Sequence, residues 1–159
     1  MEELSGESPR VVQYVMEHIY KDNKHKIRHI GSNRYGVRTI LKGLYTNNGL
    51  LYFHIQFENT TNIPFEIDFI SFKIVDKRIT RRTSIQERVI NPVRDYNYSD
   101  IVGWKSKRHT VFALPGFTMP DDKQLLVEVH EKDGGRYQSF LVENTDLLRA
   151  MIIKDLRYY

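Results

Sequence analysis

The chain has 159 residues, with 24 Lys and Arg against 20 Asp and Glu, a formal charge of +4, and no cysteine. That length holds one compact domain with a real core, or a domain and an arm, and the mild charge permits an acidic partner without requiring nucleic acid. Thiolate zinc, a cysteine nucleophile and a disulfide framework are excluded; no apolar run approaches the roughly 18 residues of a membrane-spanning helix, and no basic segment followed by an apolar stretch opens the chain as a signal peptide would.

After a polar lead over residues 1–7, Ser8-Pro9 reads as an N-cap followed by Pro at the first helical position. Val12, Val15, Met16 and Ile19 follow at helical spacing, so a short amphipathic helix is predicted through about Tyr20. Its apolar stripe must be covered, either by its own domain or by a neighbouring subunit. Lys21 to Asn33 is polar and basic and reads as a linker, which makes residues 1–34 an inter-domain arm and 35–159 a β domain. Thr39–Thr46 and Leu50–Asn59 are strands joined by Asn47-Asn48-Gly49, residue types that tolerate the positive φ of a tight hairpin. In LLYFHIQFEN, Leu51, Phe53, Ile55 and Phe57 share one face; Tyr52, His54, Gln56 and Glu58 share the other, predicted to point outward. From Phe65 to Val75 the apolar parity switches, which predicts a bulge near Asp68–Ile70 or a strand that changes sheets. A polar strand over Thr80–Val93 and a Tyr-rich loop over Asp95–Lys107 follow. Strands are predicted at His109–Leu114, around Leu125–Val129 and at Tyr137–Val142, the last two joined at Asp133-Gly134-Gly135. Asn144 or Thr145 can cap a last helix through Leu156; a strand over Ala150–Leu156 is the competing reading. Seven or eight short strands with few helices define an all-β sandwich.

Three segments in order, Gly43–Lys77, Lys77–Glu87 and Phe117–Arg136, resemble the TraN family of conjugative transposons. The resemblance covers most of the chain from about Tyr35 onward. It implies the C-terminal domain of a type IV secretion outer-membrane core subunit, folded as an immunoglobulin-like β-sandwich. Family members carry a signal peptide and an upstream domain, which are expected in the full-length precursor. The implied location is periplasmic and outer-membrane-associated. The implied partners are a lipoprotein and a channel-forming core component, arranged with copies of this chain in a homo-oligomeric ring, although the isolated domain can be a monomer. No reaction, small-molecule substrate or cofactor is implied.

The residues themselves suggest two surfaces. Lys73, Lys77, Arg78, Arg81, Arg82 and Arg88 fall within sixteen residues, against only Asp76 and Glu87. The run fits a solvated edge strand, where cations discourage stray pairing, or a docking strip for an acidic partner. DNA stacking would need aromatics among the charges, and between Lys73 and Arg88 there are none. Trp104, with Tyr96 and Tyr98 nearby, is either a contact hot spot or a lid over one end of the core.

Other motifs read as structure. Pro120-Asp121-Asp122 is turn chemistry, with Phe117 and Met119 tucked beneath, rather than a carboxylate dyad. Six histidines occur without a zinc-ligand spacing, and neither a nucleophile elbow nor a phosphate-binding Gly-rich loop is found. The sequence therefore leads to a structural, non-catalytic subunit of a conjugative DNA-transfer apparatus. Its expected partner-binding residues are Lys77, Arg78, Arg81, Arg82, Arg88, Tyr96, Tyr98 and Trp104, with no catalytic residue and no metal. A nucleic-acid-binding accessory domain is the alternative, and a hydrolase or metalloenzyme on a β scaffold a third reading.

Overall fold

The computed structural model describes residues 8–78 and 87–153. Helix α1 (Pro9–Asp22) precedes strands β1 (Gly31–Arg34), β2 (Val37–Asn47), β3 (Leu50–Asn59), β4 (Phe65–Asp76), β5 (Arg88–Val89) and β6 (Arg94–Tyr96). Strands β7 (Ile101–Val102), β8 (Ser106–Pro115), β9 (Lys123–Glu131) and β10 (Gln138–Val142) follow, then α2 (Asn144–Leu148) and β11 (Met151–Ile152). Seven of these eleven strands have four residues or more; six of them fall where the sequence pattern places strands, and β1 lies in the stretch read as a linker, while the others are pairings of two or three residues.

One sheet has the order β1-β2-β3-β8-β6, with β11 added in parallel beside β2; the other runs β10-β9-β4-β5, with β7 beside the start of β4. In a constant-type immunoglobulin domain, strands A-B-E-D face C-F-G. Here β2, β3, β8 and β6 take the places of A, B, E and D, while β4, β9 and β10 take those of C, F and G. The fold is an all-β, immunoglobulin-like sandwich with one helix at each end of the chain.

Local chemistry explains the register. Asn48 (φ 47°) and Gly49 (φ 81°) form the two-residue turn that fits the twist of β2 and β3. In β4 the pairing with β9 slips between Ile67 and Phe69. That bulge is the cause of the parity switch: Phe65 and Ile67 point inward before it, Phe72 and Ile74 after it. Phe69 is left half exposed and stacks on His130 of β9, with ring centroids 4.2 Å apart. Between the sheets, Phe72 meets Phe53 and Phe112 edge-on at 5.5 and 5.6 Å.

The helix changes the meaning of the strand alternation. The Ser8 side chain caps α1 by accepting from the Val11 N–H, and Pro9 opens the first turn. Val12, Val15, Met16 and Ile19 are all buried against Tyr45, Leu50, Tyr52, Val111 and Ala113, the outer face of the first sheet. Burying these four side chains contributes on the order of 6–12 kcal/mol, before the entropy of ordering the helix is subtracted. The stripe is thus covered by the chain's own sheet. Tyr52 and His54, expected to face outward, are buried because α1 lies over them, so β3 is sandwiched on both faces.

Three further expectations are corrected. The stretch read as a linker is tied down: the Lys26 and Ile27 N–H groups both donate to the Lys42 carbonyl (2.8 and 2.9 Å), and β1 pairs along β2 before residue 35 is reached. The loop expected over Asp95–Lys107 contains the end of β6, all of β7 and the start of β8. At the C-terminus helix and strand both form: α2 stops after five residues, and Met151–Ile152 then pairs with Tyr45–Thr46. Residues 1–7, the first half of the strand expected over Thr80–Val93 (residues 80–86), and residues 154–159 lie outside the described residues; in the described half of that expected strand only Arg88–Val89 forms a paired strand. Among the described residues, no helix is long and apolar enough to cross a membrane.

Candidate protein-interaction surface

At one pole of the sandwich four turns are knitted together around Asn59. This residue, 1% exposed, donates through Nδ2 to the carbonyls of Ile63 (2.8 Å), Gly103 (3.2 Å) and Val102 (3.3 Å). Its Oδ1 accepts from the Thr61 N–H and hydroxyl, an Asx turn that shapes the β3–β4 loop. The Lys105 N–H donates to the Thr61 carbonyl, and the Thr60 N–H to that of Gly36 in the β1–β2 turn. From the β9–β10 turn, Arg136 holds Glu131 and donates to the Ile63 and Pro64 carbonyls, with its guanidinium over the Phe65 ring.

These braced turns carry large apolar side chains into solvent: Ile63 is 67% exposed, Trp104 65% and Tyr35 52%. The Arg34 guanidinium sits 5.0 Å from the Tyr35 ring. A groove of about 280 Å³ beside them is bordered by Glu58, Asn59, Lys105 and Lys107. Backbone strain gathers at the same pole. Six non-glycine residues among those described have positive φ, and four of them are Asn or Asp, which tolerate it. The other two are Tyr35 (φ 57°) and Lys105 (φ 49°), in neighbouring turns of this surface. A left-handed Tyr costs on the order of 1 kcal/mol, and such strain concentrates where function holds it.

The sequence-derived residues divide between roles. Trp104 is the one that the pole displays; it does not fold over the core. Tyr96 is partly buried under α1, edge-on to Tyr20 at 5.1 Å. Tyr98 packs beside Phe112, and burial, then the Asp100 and Asp95 charges, push its hydroxyl up to about 12. Both tyrosines are structural supports. In the basic run, Lys77 pairs with Glu143 at 2.8 Å. Lys73 pairs with Glu128 at 3.0 Å and Glu87 at 3.6 Å. Arg78 and Arg88 are exposed; Arg88 lies in β5, hydrogen-bonded to the border of β4. Arg81 and Arg82 lie outside the described residues. The structure therefore separates the basic run from Trp104, while bringing in Tyr35, Asn59, Ile63 and Arg136, which sequence reasoning missed. The Asn59-Thr60-Thr61 and Tyr35-Gly36 turn signatures were the available signal.

Two polar clusters elsewhere are built differently. Under α1, His54 is fully buried, and its Nε2 lies 2.8 Å from Nδ1 of His109, on which Tyr20 stacks at 3.9 Å. A proton donated from His54 Nε2 leaves Nδ1 of His54 as a bare lone pair, less costly than a stranded N–H. Burial, then the charges of His109, Lys42 and His25, push the His54 ring down to about 3. It stays neutral at physiological pH. Lys42, also buried, reaches the side-chain oxygens of Asn23 (2.5 Å) and Gln56 (3.3 Å). On the outer face of the second sheet, Glu128 accepts from Lys73 and from the Tyr137 hydroxyl. Burial works against the Glu128 carboxylate, but those hydrogen bonds and the Lys73 charge hold it below its ordinary range. Burial and Glu128 push Tyr137 up to about 12, so the pair fastens β4, β9 and β10 without a proton to exchange near neutrality. Among the described residues, no group of three or more His, Asp and Glu is placed to hold a metal ion.

An immunoglobulin-like sandwich roofed by a helix, with Tyr35 and Trp104 exposed on braced turns, defines this chain as an all-β sandwich protein. Residues 9–152 match the family described as "Domain of unknown function (DUF4138)", and the chain belongs to that family. No curated protein and no solved structure matches it.

Proposed function

We propose that the chain is a structural, non-catalytic subunit of a conjugative DNA-transfer apparatus, assembled in the cell envelope through the pole of the sandwich. The observation that carries the assembly reading is Trp104, exposed beside Ile63 and Tyr35 on turns fixed by Asn59 and Arg136. A preorganised Trp and Tyr surface binds protein with little ordering cost, and such residues dominate interface energies. The mating-channel setting is supported by the ordered TraN-like segments. The corresponding partners are the lipoprotein and the channel-forming component at the periplasmic side of the outer membrane.

The test is affinity purification of the protein from solubilised envelopes of a conjugating host, native against Trp104→Ala. The native chain brings down a large envelope assembly. The variant folds normally, since its side chain is exposed, yet binds at least tenfold more weakly. An undiminished assembly removes the pole from the interface; the absence of envelope partners removes the function.

One observation favours a second reading. The pole places Trp104 beside Lys105 and Tyr35 beside Arg34, the alternation of rings and cations that grips single strands. A single-stranded DNA complex that weakens steeply with salt and is lost in Trp104→Ala identifies the accessory DNA-binding domain instead.

A further inference from the structure

Alongside the β1–β2 hairpin runs a cleft of about 290 Å³. One wall is the segment from His25 to Asn33; the other is β2 at Arg38–Ile40. Hydrogen bonds from the Lys26 and Ile27 N–H groups to Lys42, and from the Leu41 N–H to Ile30, fix the first wall against the second. None of the ten residues that line the cleft is acidic, whereas His25, Arg28, His29 and Arg38 are among them.

The positive charge here is poorly answered. The Arg28 guanidinium has no partner among the described residues, and Arg38 comes only within 3.9 Å of Glu58. Lys42, behind His25, reaches only neutral amide oxygens. His29 alone is well matched, to Asp146 at 3.1 Å. His25 Nε2 is buried without a protein partner. Burial, followed by the charges of Arg28, Lys42 and Arg38, holds the His25 ring below its ordinary pKa. Unbalanced cations along a concave, partly desolvated wall concentrate anions. Guanidinium forks match a group with two or more oxygens.

We infer that this cleft binds an oxyanion, a carboxylate or phosphate group, gripped by the guanidinium groups of Arg28 and Arg38. The site is independent of the assembly reading, since it uses neither Trp104 nor the mating-channel setting.

The experiment is an NMR titration of the whole chain with inorganic phosphate and, separately, with a blocked Asp-Glu-Asp peptide. Backbone amides of residues 25–40 shift and saturate in at least one arm, and the His25 ring titrates at higher pH in the bound state. Arg28→Gln with Arg38→Gln weakens binding at least tenfold. Both side chains are exposed, so the amide spectrum elsewhere stays native. Arg88→Gln, an exposed cation on the other sheet, leaves binding unchanged. Saturation with phosphate alone identifies a phosphate ligand; saturation with the peptide identifies a carboxylate-bearing one. Shifts that fail to saturate in both arms, or a double variant that titrates like the native chain, overturn the site.

Discussion

Acidification of this protein from pH 7 to pH 5 is expected to destabilise it through His54. The ring is fully buried under α1 and titrates at about 3 when folded, against about 6.5 when unfolded. A folded pKa below the unfolded one means that the unfolded chain takes up the proton first. The stability that neutral His54 supports is therefore complete above about pH 6.5 and is lost as pH falls toward 3. With these two values, linkage gives a loss of about 2 kcal/mol between pH 7 and 5, and on the order of 4 kcal/mol once pH 3 is reached. His109 and His25 are also lowered, by burial first, and act in the same direction. Glu128 and Glu131 are held below the ordinary carboxylate range and so add little above pH 5. The assay is urea unfolding at pH 7, 6 and 5 followed by circular dichroism, because the single Trp is too exposed to report the core. His54→Gln is expected to flatten the pH dependence by about 2 kcal/mol over this interval. A native stability constant within about 0.5 kcal/mol from pH 7 to 5, or the same slope in His54→Gln, refutes the buried neutral histidine.

Two further expectations concern the pole. Asn59→Ala removes three bonds to the Ile63, Val102 and Gly103 carbonyls and leaves the Thr61 N–H without its acceptor, while the Thr61 and Ser106 hydroxyls still donate to the Ile63 and Gly103 carbonyls; a loss of about 2 kcal/mol is expected in urea unfolding, and a loss under about 0.5 kcal/mol means that water replaces these bonds. Tyr35→Asn places Asn-Gly in a turn that now holds Tyr at φ 57°; a gain of about 1 kcal/mol in stability is expected together with weaker partner binding, and a net destabilisation contradicts strain at Tyr35.

The sequence by itself determined the two-sheet core. Period-two alternation in β3 and β9, the Asn48-Gly49 turn and the parity switch in β4 are local consequences of strand geometry and turn chemistry, and each appears where the pattern places it. The Ser8-Pro9 start and the apolar stripe of α1 were legible for the same reason. Only the tertiary structure decided what the stripe covers. A polar tyrosine and histidine on the second face of β3 look solvent-facing until a helix from another part of the chain lies over them. The pole was equally hidden. Tyr35, Asn59, Ile63, Trp104 and Arg136 are scattered over a hundred residues, and only the closure of the two sheets brings their turns together. Periodicity records which way a side chain points from its own strand. It carries no record of which distant segment stands opposite, and at this pole and under this helix that segment determines whether a ring is buried or exposed.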